Sequence, residues 1–181
     1  LVGNVYAADG GQRLVAVADT RLRLVGEIIP PYDALGLVQG KVSGIAFGPL
    51  GEVYLSDPIN GRVYRYDAAG RFISSFTGGE DAGWGQLIQP AGMTTANAGS
   101  ELYVCDPGKR QIAVFDPTGM PLRVFGGTDL EEPWAIAVGP YGQCYVADRK
   151  GQAICIFSEQ GRLIEKLDGP PVGSGRWLGP T

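Results

Sequence analysis

The sequence contains no histidine among its 181 residues. The chain shown therefore has no means of forming a His-ligated zinc site, a Ser-His-Asp triad or a CxxCH haem attachment. No run approaches the length of about eighteen apolar residues that a membrane-spanning helix needs, and no signal-like start of charged then apolar residues is visible. Because the chain begins with Leu1 and enters a strand almost at once, we expect a processed or truncated product.

Cysteine and positive charge are also scarce. The three cysteines, Cys105, Cys144 and Cys155, form no CxxC pair, and all three fall inside predicted strands. We expect buried free thiols, with a disulfide between Cys144 and Cys155 on adjacent strands as the alternative. Fifteen Lys and Arg against 19 Asp and Glu give a net charge of −4, which argues against nucleic-acid binding.

Glycine and proline are abundant, with 29 and 13 residues, and they separate apolar runs of four to six residues. Many short strands joined by tight turns have this appearance. A composition of 44% hydrophobic and 19% charged residues is ordinary for a soluble globular protein. The sequence therefore predicts an all-β fold.

One motif recurs four times along the chain. In each copy a tyrosine stands three residues before an aspartate, and the aspartates are separated by 48, 49 and 42 residues. The pairs are Tyr6 and Asp9, Tyr54 and Asp57, Tyr103 and Asp106, and Tyr145 and Asp148; ten residues further come Asp19, Asp67, Asp116 and, in the fourth copy, Ser158. A period of this size predicts a repeat architecture.

Each full unit divides into four strands, several of which are apolar at consecutive positions, as in residues 153–157 (AICIF). Both faces of such strands must be covered. Four-stranded antiparallel meanders that cover both faces by radial repetition form a β-propeller. The predicted blades are a partial one at 1–27 and full ones at 41–78, 90–127 and 133–169, which together make a propeller domain over 1–170, with a closing strand or linker at 170–181.

The third unit resembles the NHL repeat. The resemblance is carried by residues 90–93 (PAGM), 102–106 (LYVCD), 114–116 (VFD), Gly119 and 124–127 (VFGG), and by the linker 83–90 (GWGQLIQP). The first unit departs from the pattern, since no glycine follows Asp19 at the expected turn. The resemblance implies a ring that usually has six blades, of which this chain supplies three and part of another; a four-bladed ring closed by residues 175–181 is the alternative.

The first aspartates, Asp9, Asp57, Asp106 and Asp148, are predicted to be structural turn residues that accept hydrogen bonds from backbone N–H groups two residues on. The alternative is a calcium site like that of propeller lactonases, which would need ligands that converge on one ion. The four equivalent tyrosines are expected to pack between blades.

The turns between second and third strands and the linkers between blades emerge on one rim of a propeller. This rim is the predicted partner-binding face, because tryptophan and arginine are common in binding hot spots. Its candidate residues are Trp84, Trp134, Lys109, Arg110, Arg149 and Lys150. In the alternative interpretation, Trp84 folds over its own loop and Trp134 plugs the central channel.

The function favoured by the sequence is a non-catalytic module that binds a protein partner or forms a subunit of a larger assembly, without a cofactor or metal. One alternative is an enzyme, a calcium-dependent lactonase or esterase. A second alternative is an extracytoplasmic sensor domain. RNA binding is disfavoured by the acidic pI of 4.8. From the resemblance we expect a location in the periplasm or at the cell surface.

Overall fold

The computed structural model describes residues 3–9, 14–79 and 85–169, with only the backbone of Asp9 included. These residues form four antiparallel sheets, which we number as blades 1 to 4. Blade 1 contains β1 (Val5–Asp9), β2 (Leu14–Ala18) and β3 (Leu24–Ile28), and blade 2 contains β4 (Gly44–Phe47), β5 (Val53–Asp57), β6 (Arg62–Tyr66) and β7 (Phe72–Phe76). Blade 3 contains β8 (Met93–Ala96), β9 (Glu101–Asp106), β10 (Gln111–Phe115) and β11 (Pro121–Gly126), and blade 4 contains β12 (Pro133–Val138), β13 (Cys144–Asp148), β14 (Ala153–Phe157) and β15 (Leu163–Asp168).

Every sheet is a meander in which consecutive strands pair antiparallel. The first aspartate of each unit ends a strand and lies opposite the first residue of the next one, as Asp57 lies opposite Arg62 and Asp106 opposite Gln111. The sequence repeat is therefore also a repeat of strand register. Residues with the same position in the repeat occupy the same place in each blade, so the blades can be compared directly.

The second aspartates close the turn before the last strand of their blade. Asp67 accepts hydrogen bonds on Oδ1 from the backbone N–H groups of Ala69 and Arg71, both at 2.9 Å, and Gly70 adopts φ +78°. Blade 1 makes the same turn at Asp19, but the residue at the glycine position is Leu22, with φ +59°. The first copy lacks the glycine of the repeat pattern, and its turn forms with a leucine in the left-handed conformation instead.

The hydrophobic core consists of three buried clusters, each of which lies between two successive blades. Blades 1 and 2 share one cluster, blades 2 and 3 the second, and blades 3 and 4 the third. In blade 2, all five residues of β5 are buried, and five of the six residues of β9 in blade 3 are buried as well. The middle blades thus have both faces covered, as the consecutive apolar positions predict.

Within the described part of the chain, the terminal blades are covered on one face only. In β14, Ala153, Cys155 and Phe157 are buried against blade 3, whereas Ile154 and Ile156 are only partly buried. Since successive side chains in a strand point to opposite faces, the two isoleucines lie on the face that no described blade covers. The described residues cover one face of 153–157, and the expectation that the other face is covered stays a prediction.

Three of the four repeated tyrosines make contacts between blades or within a partly buried polar group. The Tyr54 hydroxyl donates a hydrogen bond to the carbonyl oxygen of Pro117 in blade 3 (3.2 Å), and the Tyr6 ring meets Phe47 of blade 2 edge-on at 4.9 Å. The Tyr103 hydroxyl donates to Glu101 (2.8 Å) and accepts from Arg123 (2.6 Å). Tyr145 has no following blade among the described residues, and it is 39% exposed where Tyr103 is 0% exposed.

All three cysteines are free and buried. The register of blade 4 places Cys155 opposite Val146 and Cys144 opposite Phe157, so the two thiols do not face each other directly across the strands. Burial raises the pKa of the Cys144 thiol to about 11. No helix in the described part of the chain has the length and apolar character of a membrane span.

Candidate functional site

The carboxylates of the first aspartates attach the linkers between blades to the turns that follow the second strands. Asp106 accepts hydrogen bonds from the backbone N–H groups of Ile88 (3.1 Å) and Gln89 (2.9 Å), which belong to the linker before blade 3. Asp148 accepts from the N–H groups of Glu131 (2.8 Å) and Glu132 (2.7 Å) in the linker before blade 4. Linkers and turns therefore share one edge of the blades, which we call the linker rim.

Asp57 has the largest set of partners. Its carboxylate accepts from the backbone N–H groups of Ile59 (2.9 Å) and Lys41 (3.2 Å), and from the hydroxyl of Tyr64 (3.0 Å). The sequence-based expectation named donors two residues on, and Ile59 is such a donor. Lys41 belongs to the preceding linker, so the carboxylate also holds a segment sixteen residues away. The side chain of Asp9 is not among those described.

These carboxylates are enclosed by their own loops. Burial raises the pKa of Asp106, and the N–H donors of Gln89 and Ile88 together with the nearby Lys109 act in the opposite direction. A Cβ added to Gly151 would lie 2.6 Å from the Asp148 carboxylate, so the turn backbone passes directly over that side chain. Within the described residues, no group of three or more His, Cys, Asp or Glu side chains could hold a metal ion.

The turns of the linker rim have a left-handed residue four positions after the first aspartate. This residue is Gly61 in blade 2, Arg110 in blade 3 and Gln152 in blade 4, with φ values of +59°, +57° and +50°. Arg110 also donates from Nε to the carbonyl oxygen of Leu130 (3.1 Å) in the next linker. The Arg110 side chain thus ties the turn of blade 3 to the linker that leads into blade 4.

In blade 4, the predicted hot-spot residues contact one another. The Arg149 guanidinium carbon lies 4.4 Å from the centre of the Trp134 ring, a cation–π geometry, and its Nη2 donates to Glu132 (2.7 Å). The Lys150 Nζ lies 3.7 Å from Oε2 of Glu131, and both of these side chains are exposed. Trp134, on β12, is partly buried beneath Arg149. Trp84 lies outside the described residues.

Three aliphatic side chains on this rim are exposed and were not among the predicted site residues: Val38 at 66%, Ile59 at 57% and Ile88 at 50%. The turn of blade 2, which carries Ile59, lies beside the loop that carries Val38, because Asn60 Nδ2 donates to the Val38 carbonyl oxygen (3.0 Å). On the other side, a Cβ on Gly61 would lie 3.3 Å from the Ile88 carbonyl oxygen. The only sign of this patch in the sequence is an isoleucine between Pro58 and Asn60, in a turn where polar residues are usual.

Three cations lie beside this patch. Lys41, Lys109 and Arg110 form no ion pair with any other described residue. On the opposite rim, by contrast, arginines are paired within the turns, as Arg71 is with Asp67 at 2.7 Å. The linker rim therefore combines exposed aliphatic side chains with three cations that form no ion pair within the described residues.

No protein-family model matches the chain. In sequence the chain is similar to protein brain tumor of Drosophila melanogaster, at 26% identity over 142 residues, and to B-box type zinc finger protein ncl-1 of Caenorhabditis elegans, at 28% over 139 residues. Each match covers 75% of this chain, which spans only 13% and 16% of the two relatives. Both relatives are NHL-repeat proteins.

In structure the chain is similar to streptogramin B lyase, with a TM-score of 0.75 at 16% identity, over 97% of this chain and 54% of the lyase. It is also similar to virginiamycin B lyase from Staphylococcus aureus, with a TM-score of 0.74 at 17% identity, over 96% of this chain and 54% of that one. Identity at this level shows the fold alone. With four meander sheets packed face to face, the chain is a run of β-propeller blades related in sequence to two NHL-repeat proteins.

Proposed function

We propose that the chain is a non-catalytic module that binds a protein partner through the linker rim. The observation that carries this proposal is the exposure of Val38, Ile59 and Ile88 on neighbouring loops of this rim, with Lys41, Lys109 and Arg110 beside them. Exposed aliphatic side chains next to cations that form no ion pair with a described residue fit a partner segment that is both apolar and acidic.

The aliphatic side chains supply the larger part of the expected binding free energy. Fully burying an isoleucine or valine is worth about 1.5–3 kcal/mol, so completing the burial of a side chain that is roughly half exposed contributes about 1 kcal/mol. The cations act mainly on association rate and on the choice of partner. Trp134 and Arg149, already stacked on one another, form a rigid border of this surface in blade 4.

The relationship to two NHL-repeat proteins supports the interaction role, since repeat proteins present broad surfaces for binding. The lyase structures share the fold at 16% and 17% identity, and nothing in that likeness carries their activity to this chain. A role as a subunit of a larger assembly, a six-bladed ring and a location in the periplasm or at the cell surface are part of the same proposal.

The test is an affinity purification of the tagged protein from its native cell, with co-purifying proteins quantified against the bait. The informative variants are Ile59→Glu and Ile88→Glu on the linker rim. The matched control is Leu50→Glu, because Leu50 is 82% exposed and belongs to the turn between β4 and β5 on the opposite rim.

We expect a partner in stoichiometric amount with the wild-type protein and with Leu50→Glu, and a loss of that partner in both linker-rim variants. Retention in the linker-rim variants together with loss in Leu50→Glu would place the contact on the opposite rim. Absence of a stoichiometric partner from the wild-type purification would count against the interaction function itself.

A further inference from the structure

The turn before the last strand has the same backbone in all four blades, but its side chains differ in blade 4. Blades 1, 2 and 3 have an aspartate at the first position of this turn, and blade 4 has Ser158. The Ser158 N–H donates to the Arg162 carbonyl oxygen (2.8 Å), and the Gly161 N–H donates to the Ser158 carbonyl oxygen (2.9 Å), as in the turn that begins at Asp67. Ser158 therefore occupies the place of an acidic side chain.

In blades 1 and 2 the aspartate of this turn binds an arginine four residues on. Arg23 donates from Nε to Oδ2 of Asp19 (2.8 Å), and Arg71 donates from Nε to Oδ2 of Asp67 (2.7 Å). The Nη2 atom of each arginine contacts the same carboxylate oxygen, at 2.6 Å and 2.7 Å. The guanidinium thus closes on the anionic oxygen of the turn.

Blade 4 has the arginine of this ion pair without the carboxylate. Arg162 has the position of Arg23 and Arg71, its side chain is exposed, and it forms no ion pair with any described residue. The Ser158 hydroxyl accepts a hydrogen bond from the Arg162 backbone N–H (3.2 Å), but a hydroxyl carries no charge for the guanidinium to bind. The turn of blade 4 therefore presents a cation beside a hydroxyl.

The first position of this turn stays accessible even where a blade lies on each side. In blade 2, which lies between blades 1 and 3, the side chain of Asp67 is 27% exposed and that of Arg71 is 82% exposed. Ser158 is partly buried, and the next two residues, Glu159 and Gln160, are exposed. The accessibility of Ser158 is therefore a property of the turn and does not depend on what lies beside blade 4.

We propose that Ser158 is a phosphorylation site and that Arg162 binds the phosphate. A protein kinase supplies the co-reactant, a nucleoside triphosphate. The serine oxygen attacks the γ-phosphorus, the bond from that phosphorus to the bridging oxygen breaks, the nucleoside diphosphate leaves, and the hydroxyl proton passes to a carboxylate of the kinase. The product carries a charge of about −1.5 to −2 at pH 7 and three acceptor oxygens.

The phosphate restores the ion pair that blades 1 and 2 have in this turn. Its oxygens lie one covalent bond further from the backbone than those of an aspartate, and the long, exposed side chain of Arg162 adapts to that distance. The turn packs on blade 3, because a Cβ added to Gly161 would collide with Phe125. An ion pair within the turn therefore holds β15 more firmly against blade 3.

The first test is the state of Ser158 in the protein purified from its native cell. Trypsin cleaves after Lys150 and Arg162, and the peptide 151–162 (GQAICIFSEQGR) contains Ser158 as its single hydroxyl side chain. We expect a peptide that is heavier by one phosphoryl group and that loses this mass on treatment with a phosphatase. An unmodified peptide from growing, starved and stressed cells alike overturns the proposal.

The second test measures the role of Arg162 in the purified protein, with phosphoserine introduced at position 158 during synthesis. The phosphorylated protein should unfold at a higher urea concentration than the unmodified one, and Arg162→Gln should abolish most of that rise. The matched control is phosphoserine in place of Asp116, because Met120 has the position of Arg162 in blade 3. That control should gain no stability over its unphosphorylated serine form. No rise in the wild type, or an equal rise in Arg162→Gln, overturns the assignment of Arg162.

Discussion

Replacing Asp106 by alanine tests whether the first aspartates are structural. This carboxylate is 0% exposed and accepts hydrogen bonds from the N–H groups of Ile88 (3.1 Å) and Gln89 (2.9 Å). In Asp106→Ala both donors lose their partner at the point where the linker enters blade 3. The substitution therefore acts on the attachment of the linker and leaves the aliphatic core in place.

The expected loss of stability follows from those two donors. A buried donor left without a partner costs about 1–3 kcal/mol, which for two donors gives about 2–6 kcal/mol. Removing the carboxylate also removes the cost of burying its charge, the effect that raises the pKa of Asp106, so we expect a net loss of about 3 kcal/mol. Asp106→Asn keeps one acceptor oxygen and loses about half as much.

Urea-induced unfolding of the wild type, Asp106→Ala and Asp67→Ala measures this difference. Asp67 also accepts two backbone hydrogen bonds, but in an exposed turn, where water replaces the lost acceptor. The reasoning is refuted if Asp106→Ala loses no more stability than Asp67→Ala. A rise in the unfolding midpoint on adding calcium that disappears in Asp106→Ala would favour the metal-site alternative.

Two further predictions concern stability. Leu22→Gly, at the one blade turn with a leucine at φ +59°, raises the free energy of unfolding by about 1 kcal/mol because left-handed leucine is strained; a lower unfolding midpoint would contradict this. The pKa of the buried Cys144 thiol is raised from its ordinary value of 9.0 to about 11, so the unfolded chain loses that proton first. Stability is therefore expected to fall between pH 9.0 and about 11, and Cys144→Ser, measured by urea unfolding at both ends of that range, should show a smaller fall.

The fold is readable from the sequence because its signals are local. Apolar runs, turn glycines and an aspartate at the end of each second strand recur in register, and each acts within a few residues of its own position. Leu22 shows the limit of such signals. Its side chain gives no sign of a left-handed backbone, which the turn imposes through hydrogen bonds from the N–H groups of Arg21 and Arg23 to the Asp19 carboxylate and from the Leu22 N–H to the Asp19 carbonyl oxygen.

The site is less readable because its contacts join distant parts of the chain. The linker donors of Asp106 and Asp148 lie sixteen to eighteen residues before them, at positions that no local pattern marks. The exposure of Ile59 depends on how the turn of blade 2 lies between two linkers. The sequence predicts that Trp134 and Arg149 share a rim, but their stacking joins β12 to the turn after β13, and no local pattern marks that contact.

The quantity that tests the central claim most directly is the amount of partner retained by Ile59→Glu relative to the wild type and to Leu50→Glu. In Ile59→Glu the partner loses the contact with the isoleucine, and the new carboxylate repels its acidic groups. Together these effects weaken binding by about 1.4 kcal/mol or more, which is a tenfold loss of affinity. The account predicts at least this loss for Ile59→Glu and none for Leu50→Glu. Equal retention by all three proteins would show that the linker rim does not bind the partner.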